Sequence, residues 1–253
     1  MIPNVLTIAG TDPSGGAGIQ ADIKTFSALG AYAASVVTAL VAQNTQGVRS
    51  FQVVEARFVA EQIDAVFEDL RIDAVKIGMV ATREIAATIA ERLLRHHAKN
   101  IVLDPVMVAK SGDRLLAEDA VAALRERLVP IADVITPNLP EAAVLLGEPP
   151  PVTLAAMRVA ARRLGSLGAR WVLLKGGHLA GDQSPDLLFD GDTITELPAR
   201  RITTKNTHGG GCTLSSAIAA LLPRYGMAEA VARAKAYVTA ALAASGELSV
   251  GSG

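Results

Sequence analysis

The chain has 253 residues, half of them hydrophobic, and carries 24 Lys and Arg against 25 Asp and Glu. That length builds one large α/β domain or two small ones, and a formal net charge of -1 gives no electrostatic drive toward nucleic acid or anionic membrane. A lone cysteine excludes an internal disulfide framework and a thiolate zinc cage. The N-terminus lacks a basic region, and the apolar run from Val5 is too short for a signal peptide. No uninterrupted run of ~18 apolar residues predicts a membrane span, so the default compartment is the cytoplasm.

Along the chain, apolar and β-branched runs alternate with helical patterns. Val5–Ala9 reads as a short buried strand, and Ile19–Leu29 as the helix after it. A second strand is expected over Ala34–Ala42, ending in Gln43-Asn44-Thr45-Gln46. Phe58, Ile63, Val66, Phe67 and Leu70 define one face of the next helix. The third strand falls on Ala74–Val80, followed by a helix through Ile85, Ile89 and Leu93. Ile101–Leu103, Val134-Ile135 and Trp171–Leu174 are the remaining parallel strands. Between them lie helices marked by Val121, Leu124 and Leu128, and by Leu154, Met157, Ala161 and Leu164. From Asp186 to Thr195 the pattern changes to two short strands joined at Asp190-Gly191, a hairpin at an antiparallel edge. Glu148-Pro149-Pro150-Pro151 is the best candidate break and reads as a loop before a helix at Thr153. The series predicts a single α/β unit over residues 1–253, with a mostly parallel sheet and helices on both faces.

Two glycine-rich turns stand out. Thr207-His208-Gly209-Gly210-Gly211-Cys212 runs straight into a helical apolar segment, Ala217–Leu222. Glycines opening a helix expose backbone N–H groups at the positive end of its dipole, which is an anion site. The same dipole favours the thiolate of Cys212, a candidate nucleophile or base. The plain alternative is a glycine turn before a buried helix, with Cys212 as a small core residue. Near the N-terminus, Gly16-Ala17-Gly18-Ile19-Gln20-Ala21 fits a dinucleotide fingerprint. No acidic residue follows at the end of the second strand, and Asp12-Pro13 intrudes before the glycines. This turn therefore reads as a ligand loop without a nicotinamide or flavin.

In such sheets, ligands sit beyond the carboxyl ends of the strands. Gly10-Thr11-Asp12, Gln43-Asn44, Gly78-Met79, Asp104, Thr136-Pro137-Asn138 and Lys175-Gly176-Gly177-His178 all collect there. Each alone reads as a loop or cap; together they describe a cleft. Asp104 and Glu141 are carboxylates suited to Mg²⁺, Lys175 is a point charge for phosphate, and the Gly209 run supplies amides. That is an inventory for phosphoryl transfer, without a Walker P-loop.

Ala9–Asp22 resembles the N-terminal signature of bacterial hydroxymethylpyrimidine/phosphomethylpyrimidine kinases of thiamine biosynthesis. Thr38–Thr45, Lys76–Met79, Leu103–Met107, Thr136–Ala142, Leu174–His178 and Lys205–Cys212 continue the likeness in order, from about Val5 to Gly251. The resemblance implies a ribokinase-like fold, ATP and Mg²⁺ as cofactors, and a homodimer. It also implies phosphorylation of 4-amino-5-hydroxymethyl-2-methylpyrimidine and then of its monophosphate.

It further implies roles. Gln43 is similar to the family's pyrimidine-reading glutamine, whose acceptor and donor match an amino group beside a ring nitrogen. Gly10, Asp22, Val41, Met79, Val106 and Cys212 are implied as the rest of the substrate pocket. Lys175, Asn138 and Thr207 fall on the ATP side, Asp104 and Glu141 on the metal, and Gly209, Gly210, Gly211 and Cys212 on the anion hole. The chain departs from the family's Gly-Thr-Gly-Cys pattern at Gly210. The given sequence ends at Val250-Gly251-Ser252-Gly253, where family members commonly continue to a Pro-Val-His-like tail. Pyridoxal kinase on the same fold is the enzymatic alternative; a catalytically weak vitamin-precursor-binding protein is the alternative of another class.

Overall fold

The computed structural model describes residues 1–107 and 118–251. Its centre is an eight-stranded sheet in the order β10-β9-β8-β7-β6-β5-β1-β2. β1 (Asn4–Ala9), β2 (Tyr32–Val37), β5 (Ala74–Ile77), β6 (Ile101–Leu103), β7 (Val134–Ile135) and β8 (Trp171–Leu174) pair in parallel. β9 (Asp186–Phe189) and β10 (Ile194–Leu197) add the antiparallel edge expected from the Asp190-Gly191 turn.

The strands read as unbroken apolar runs because they are buried on both faces. Successive side chains enter opposite cores. Leu6, Ile8, Val75, Ile77, Ile101, Leu103, Ile135, Val172 and Leu174 join one cluster. Val5, Ala74, Val102, Val134 and Leu173 join the other. The first core is covered by α2 (Ala56–Asp69), α3 (Arg83–Arg95), α4 (Glu118–Ala123), α5 (Leu139–Leu146) and α6 (Leu154–Gly165). The second is covered by α1 (Gly18–Ala28), α7 (Gly210–Leu221) and α8 (Met227–Ala244).

Two expectations are corrected. The strand expected over Ala34–Ala42 breaks at Thr38, whose hydroxyl donates to the Met79 carbonyl at 2.6 Å. β3 (Ala39–Asn44) then leaves the main sheet and pairs antiparallel with β4 (Gly47–Val53), with a register shift between Ala42 and Gln43. The reason lies in the alternation: Ala39 and Val41 are buried, while Leu40 and Ala42 face out. Phe58 does not belong to the packing face of α2 and is 56% exposed; Val59, Ala60 and Ile63 are the buried residues, one position on.

Candidate active site

The carboxyl ends of β1, β5, β6 and β8, the β3 strand and the start of α7 enclose a cavity of about 790 Å³. Gly10, Val41, Gln43, Met79 and Val106 line it, as do Asp104, Asn138, Glu141, Lys175 and Thr207–Cys212. Of the residues to which the resemblance assigns a role, Asp22 alone is missing from its wall; of the strand-end residues read as a cleft, Asp12, Asn44, Gly78, Thr136, Pro137 and Gly176 also stay off it.

The glycine turn owes its form to two close approaches. Gly209 caps α7 with φ of 75°, and a Cβ there would overlap the Gly16 carbonyl oxygen. The two glycine-rich turns are therefore locked together. His208 Nε2 reinforces the lock at 2.8 Å from Asp12 Oδ2, and Asp12 is held well below the usual carboxylate range. Burial opposes that ionisation; hydrogen bonds from His208, Ser14 and Gln43 overcome it. As first-turn residues, Gly211 and Cys212 have no intrahelical carbonyl for their amides. A Cβ on Gly211 would lie 3.4 Å from Lys175 Nζ, so this turn faces the lysine directly.

Lys175 stands at the end of β8, its amide donating to Pro137 at 2.9 Å. Its ammonium lies 3.2 Å from Asp104 Oδ1 and 4.0 Å from Glu141 Oε2. Burial pulls the lysine pKa down, but the two carboxylates raise it on balance. Asp104 follows β6; Thr136 and Ser215 donate to it at 3.1 and 3.2 Å. Burial raises the Asp104 pKa, but Lys175 and Lys76 outweigh it and hold the group below its ordinary value. Glu141 is pushed up to about 7 by burial and by Asp104, despite Lys175. Asn138 and Glu141 also form the capping box of α5: the side chain of each accepts from the other's amide at 2.8 Å. Helix capping thus places both on the cavity wall.

Among the described residues, no cluster of three or more His, Cys, Asp or Glu is arranged to hold a metal. Two carboxylates without a third do not make an all-protein cage. They fit Mg²⁺, which keeps several waters and takes phosphate oxygens to complete its shell.

The expected ionisation of Cys212 is corrected. Burial, Asp104 and Asp22 push the thiol up to about 11, against the pull of Lys76 and the Gly18 amide. At neutral pH it is a thiol, because desolvation outweighs the cations and dipoles that favour thiolate. Asp22 is corrected as well. It is fully buried, accepting from Thr7 and Ser216 at 2.6 Å and from Lys76 at 2.8 and 3.0 Å. Lys76, which it holds, is the residue on the cavity wall. Sequence reading passed over Lys76, although a lysine inside Ala74-Val75-Lys76-Ile77 was a signal: a cation in a buried strand needs a dedicated partner.

Elsewhere on the cavity wall, Gly10 and Met79 approach closely. A Cβ on Gly10 would lie 3.0 Å from Met79 Sδ. Val41 is fixed by its amide donating to Thr11 Oγ1 at 2.9 Å. Gln43 stands two residues further along β3.

A mostly parallel sheet whose strand ends carry one cavity lined by apolar residues, a glutamine, a glycine turn, a lysine and two carboxylates is the arrangement of a ribokinase-like small-molecule kinase. The comparisons narrow the class. A family model for phosphomethylpyrimidine kinase matches residues 12–253. A hydroxymethylpyrimidine/phosphomethylpyrimidine kinase from Salmonella typhimurium is 58% identical, over 99% of this chain and 94% of its own. The enzyme of that name from Rhizobium meliloti is 56% identical over 98% and 93%. Among solved structures, a phosphomethylpyrimidine kinase from Clostridium difficile superposes with a TM-score of 0.84 at 44% identity, covering 95% of this chain and 99% of the other. An ADP complex of Bacillus subtilis pyridoxal kinase gives 0.90 at 38% identity, covering 96% and 92%. The chain belongs to the phosphomethylpyrimidine kinase family.

Proposed function

We propose that this kinase transfers the γ-phosphoryl group of ATP to the alcohol of 4-amino-5-hydroxymethyl-2-methylpyrimidine, and then a second phosphoryl group to the monophosphate formed, in thiamine biosynthesis. The observation that carries this reading is one cavity lined both by Gln43, Val41 and Met79 and by Gly209–Cys212, Lys175, Asp104 and Glu141.

Each group has a task. The Gln43 carboxamide pairs with the amino group and adjacent ring nitrogen, and Met79 and Val106 flank the ring. The amides of Gly211 and Cys212 and the Lys175 ammonium receive the γ-phosphoryl oxygens, where charge develops in the transition state. Asn138 and Thr207 stand on the nucleotide side. In each step the acceptor oxygen forms the new O–P bond as the bond from γ-phosphorus to the ADP oxygen breaks. In the first step the alcohol proton must also leave, and in this reading the Cys212 thiolate takes it, the thiol having first given its own proton to solvent. Asp104 and Glu141 would hold Mg²⁺, which neutralises charge on the β- and γ-phosphates when bound. The homodimeric state and the cytoplasmic location belong to the same proposal; sedimentation velocity tests the first and cell fractionation the second.

ADP release tests the activity, measured on one preparation with the hydroxymethylpyrimidine, its monophosphate and pyridoxal. Turnover of both pyrimidines is the expected result; turnover of pyridoxal alone would overturn it. Pyridoxal phosphorylation is the second reading, favoured by the close superposition on a pyridoxal kinase. Gln43 argues against it, because pyridoxal offers no amino group beside a ring nitrogen.

A further inference from the structure

The turn between β1 and α1 fastens two parts of the cavity wall. Thr11 holds β3, the strand that carries Gln43: its amide donates to the Ala39 carbonyl at 3.0 Å, and its hydroxyl accepts from the Val41 amide at 2.9 Å. Asp12, the next residue, is fully buried. The Ser14 amide and hydroxyl donate to its Oδ1 at 2.8 and 2.7 Å, and the Ala17 amide donates to its Oδ2 at 2.8 Å. Those bonds fold the turn itself. The bond from His208 Nε2 at 2.8 Å is of another kind, because it spans 196 residues and reaches the residue before Gly209, the cap of α7.

The imidazole is seated for this bond. The His208 side chain is 15% exposed and lies against Gly16, where a Cβ would stand 2.5 Å from its Cδ2. Gly16 has no positive φ, so room for the ring, not backbone conformation, is what its missing side chain provides. Because Asp12 is ionised, Nε2 is a ring nitrogen that carries hydrogen and donates. A donor to a buried ionised carboxylate makes a short and directional bond. It fixes the chain at His208, and Gly211 and Cys212 follow in the first turn of α7. One short turn thus sets both the strand bearing Gln43, through Thr11, and the anion turn, through Asp12.

We propose that His208 and Asp12 are positioning residues for phosphoryl transfer: their bond holds the anion turn in register with the β3 strand, so that the oxygen of the bound pyrimidine meets the phosphorus held by the Gly211 and Cys212 amides. This rests on the function proposed above. Neither side chain is assigned a contact with the reacting atoms; both act through the turn. A displaced anion turn loses the alignment of the two reactants, so the bond serves the transfer step and not the holding of the pyrimidine.

Two replacements of similar volume isolate the bond: His208→Leu removes the donor, and His208→Gln supplies another. ADP release at saturating ATP gives kcat and KM, and calorimetric titration of the hydroxymethylpyrimidine without nucleotide gives its affinity. In His208→Leu kcat should fall at least about tenfold with pyrimidine affinity within about twofold of wild type, and His208→Gln should recover most of the loss. Gly16→Ala reaches the same bond from the other side, displacing the ring while keeping donor and carboxylate, and carries the test if His208→Leu does not fold. It should lower kcat likewise, and the double variant His208→Leu/Gly16→Ala should lose no more than either single one, because both break one bond. Wild-type kcat in His208→Leu or Gly16→Ala, a His208→Gln enzyme as slow as His208→Leu, or a loss that appears as weaker pyrimidine binding would overturn the assignment and leave the bond a structural one. Turnover of pyridoxal alone by the wild type would instead overturn the functional reading, and the same variants would then be judged with pyridoxal.

Discussion

Two neighbouring glycines of the anion turn, Gly209 and Gly210, should respond to substitution in opposite ways. Gly209 has φ of 75°, where an L-residue loses about 1–2 kcal/mol. A Cβ there also overlaps the Gly16 carbonyl oxygen, and relieving such crowding costs roughly another 1–3 kcal/mol. Gly209→Ala should therefore lose about 2–5 kcal/mol, and at this chain length its Tm should fall by roughly 5–15 °C. The displacement moves the Gly211 and Cys212 amides relative to Lys175, so kcat/KM should fall at least about a hundredfold.

Gly210 is the control, one residue on. A Cβ there meets nothing within 4 Å, and its φ is not positive. Gly210→Ala restricts the unfolded chain without straining the folded one, and should add about 0.4–1 kcal/mol, or roughly 1–4 °C. The same open space admits Gly210→Thr, the residue usual in the family, with activity kept or raised by a stiffer loop. Thermal unfolding and ADP release on the three variants check this. Equal destabilisation by Gly209→Ala and Gly210→Ala would refute the geometry of the turn.

Much of this site was legible because its residues sit at strand ends and turns. Asp104 and Lys175 each follow an apolar segment whose boundaries matched the fold closely, since Ile101–Leu103 and Trp171–Leu174 are strands as read, and the Gly209 run opens the apolar helix α7. The parallel strands announce themselves because both faces are buried. What failed to show was anything decided across the sheet. The break at Thr38 depends on its bond to Met79, 41 residues away, and the β3–β4 hairpin carries a weaker alternation that an apolar reading smoothed over. Asp22 and Lys76 lie on different elements 54 residues apart, so no local pattern says which of them reaches the cavity. The sign of the Cys212 shift was also invisible: a helix start favours thiolate, but the depth of burial that outweighs it is a tertiary property.

Further outcomes follow from the same geometry. Gln43→Met removes a donor and an acceptor from the ring end, which should cost roughly 2–4 kcal/mol, or several tens-fold to about a thousandfold in kcat/KM on the alcohol; wild-type efficiency would mean that Gln43 does not read the ring. Asp104→Asn should raise the Mg²⁺ requirement and Lys175→Ala should weaken ATP use, with pyrimidine affinity nearly intact by calorimetry in both; equal loss of pyrimidine affinity would place them on the substrate side. Cys212 should separate the two reactions by pH. With its pKa near 11, the thiolate fraction rises about tenfold per pH unit through the neutral and mildly alkaline range. Phosphorylation of the alcohol needs a base, a contribution of about 10²–10⁴-fold, so its rate should climb with pH in that range. The monophosphate oxygen is already anionic above its second pKa of about 6, so its rate should be flat there. Cys212→Ser removes the ionisable thiol and should abolish the rise for the alcohol while changing the second reaction far less. Equal losses on both substrates, or an alcohol profile whose pH dependence survives the substitution, would show that Cys212 only shapes the anion turn and that the proton leaves by another route.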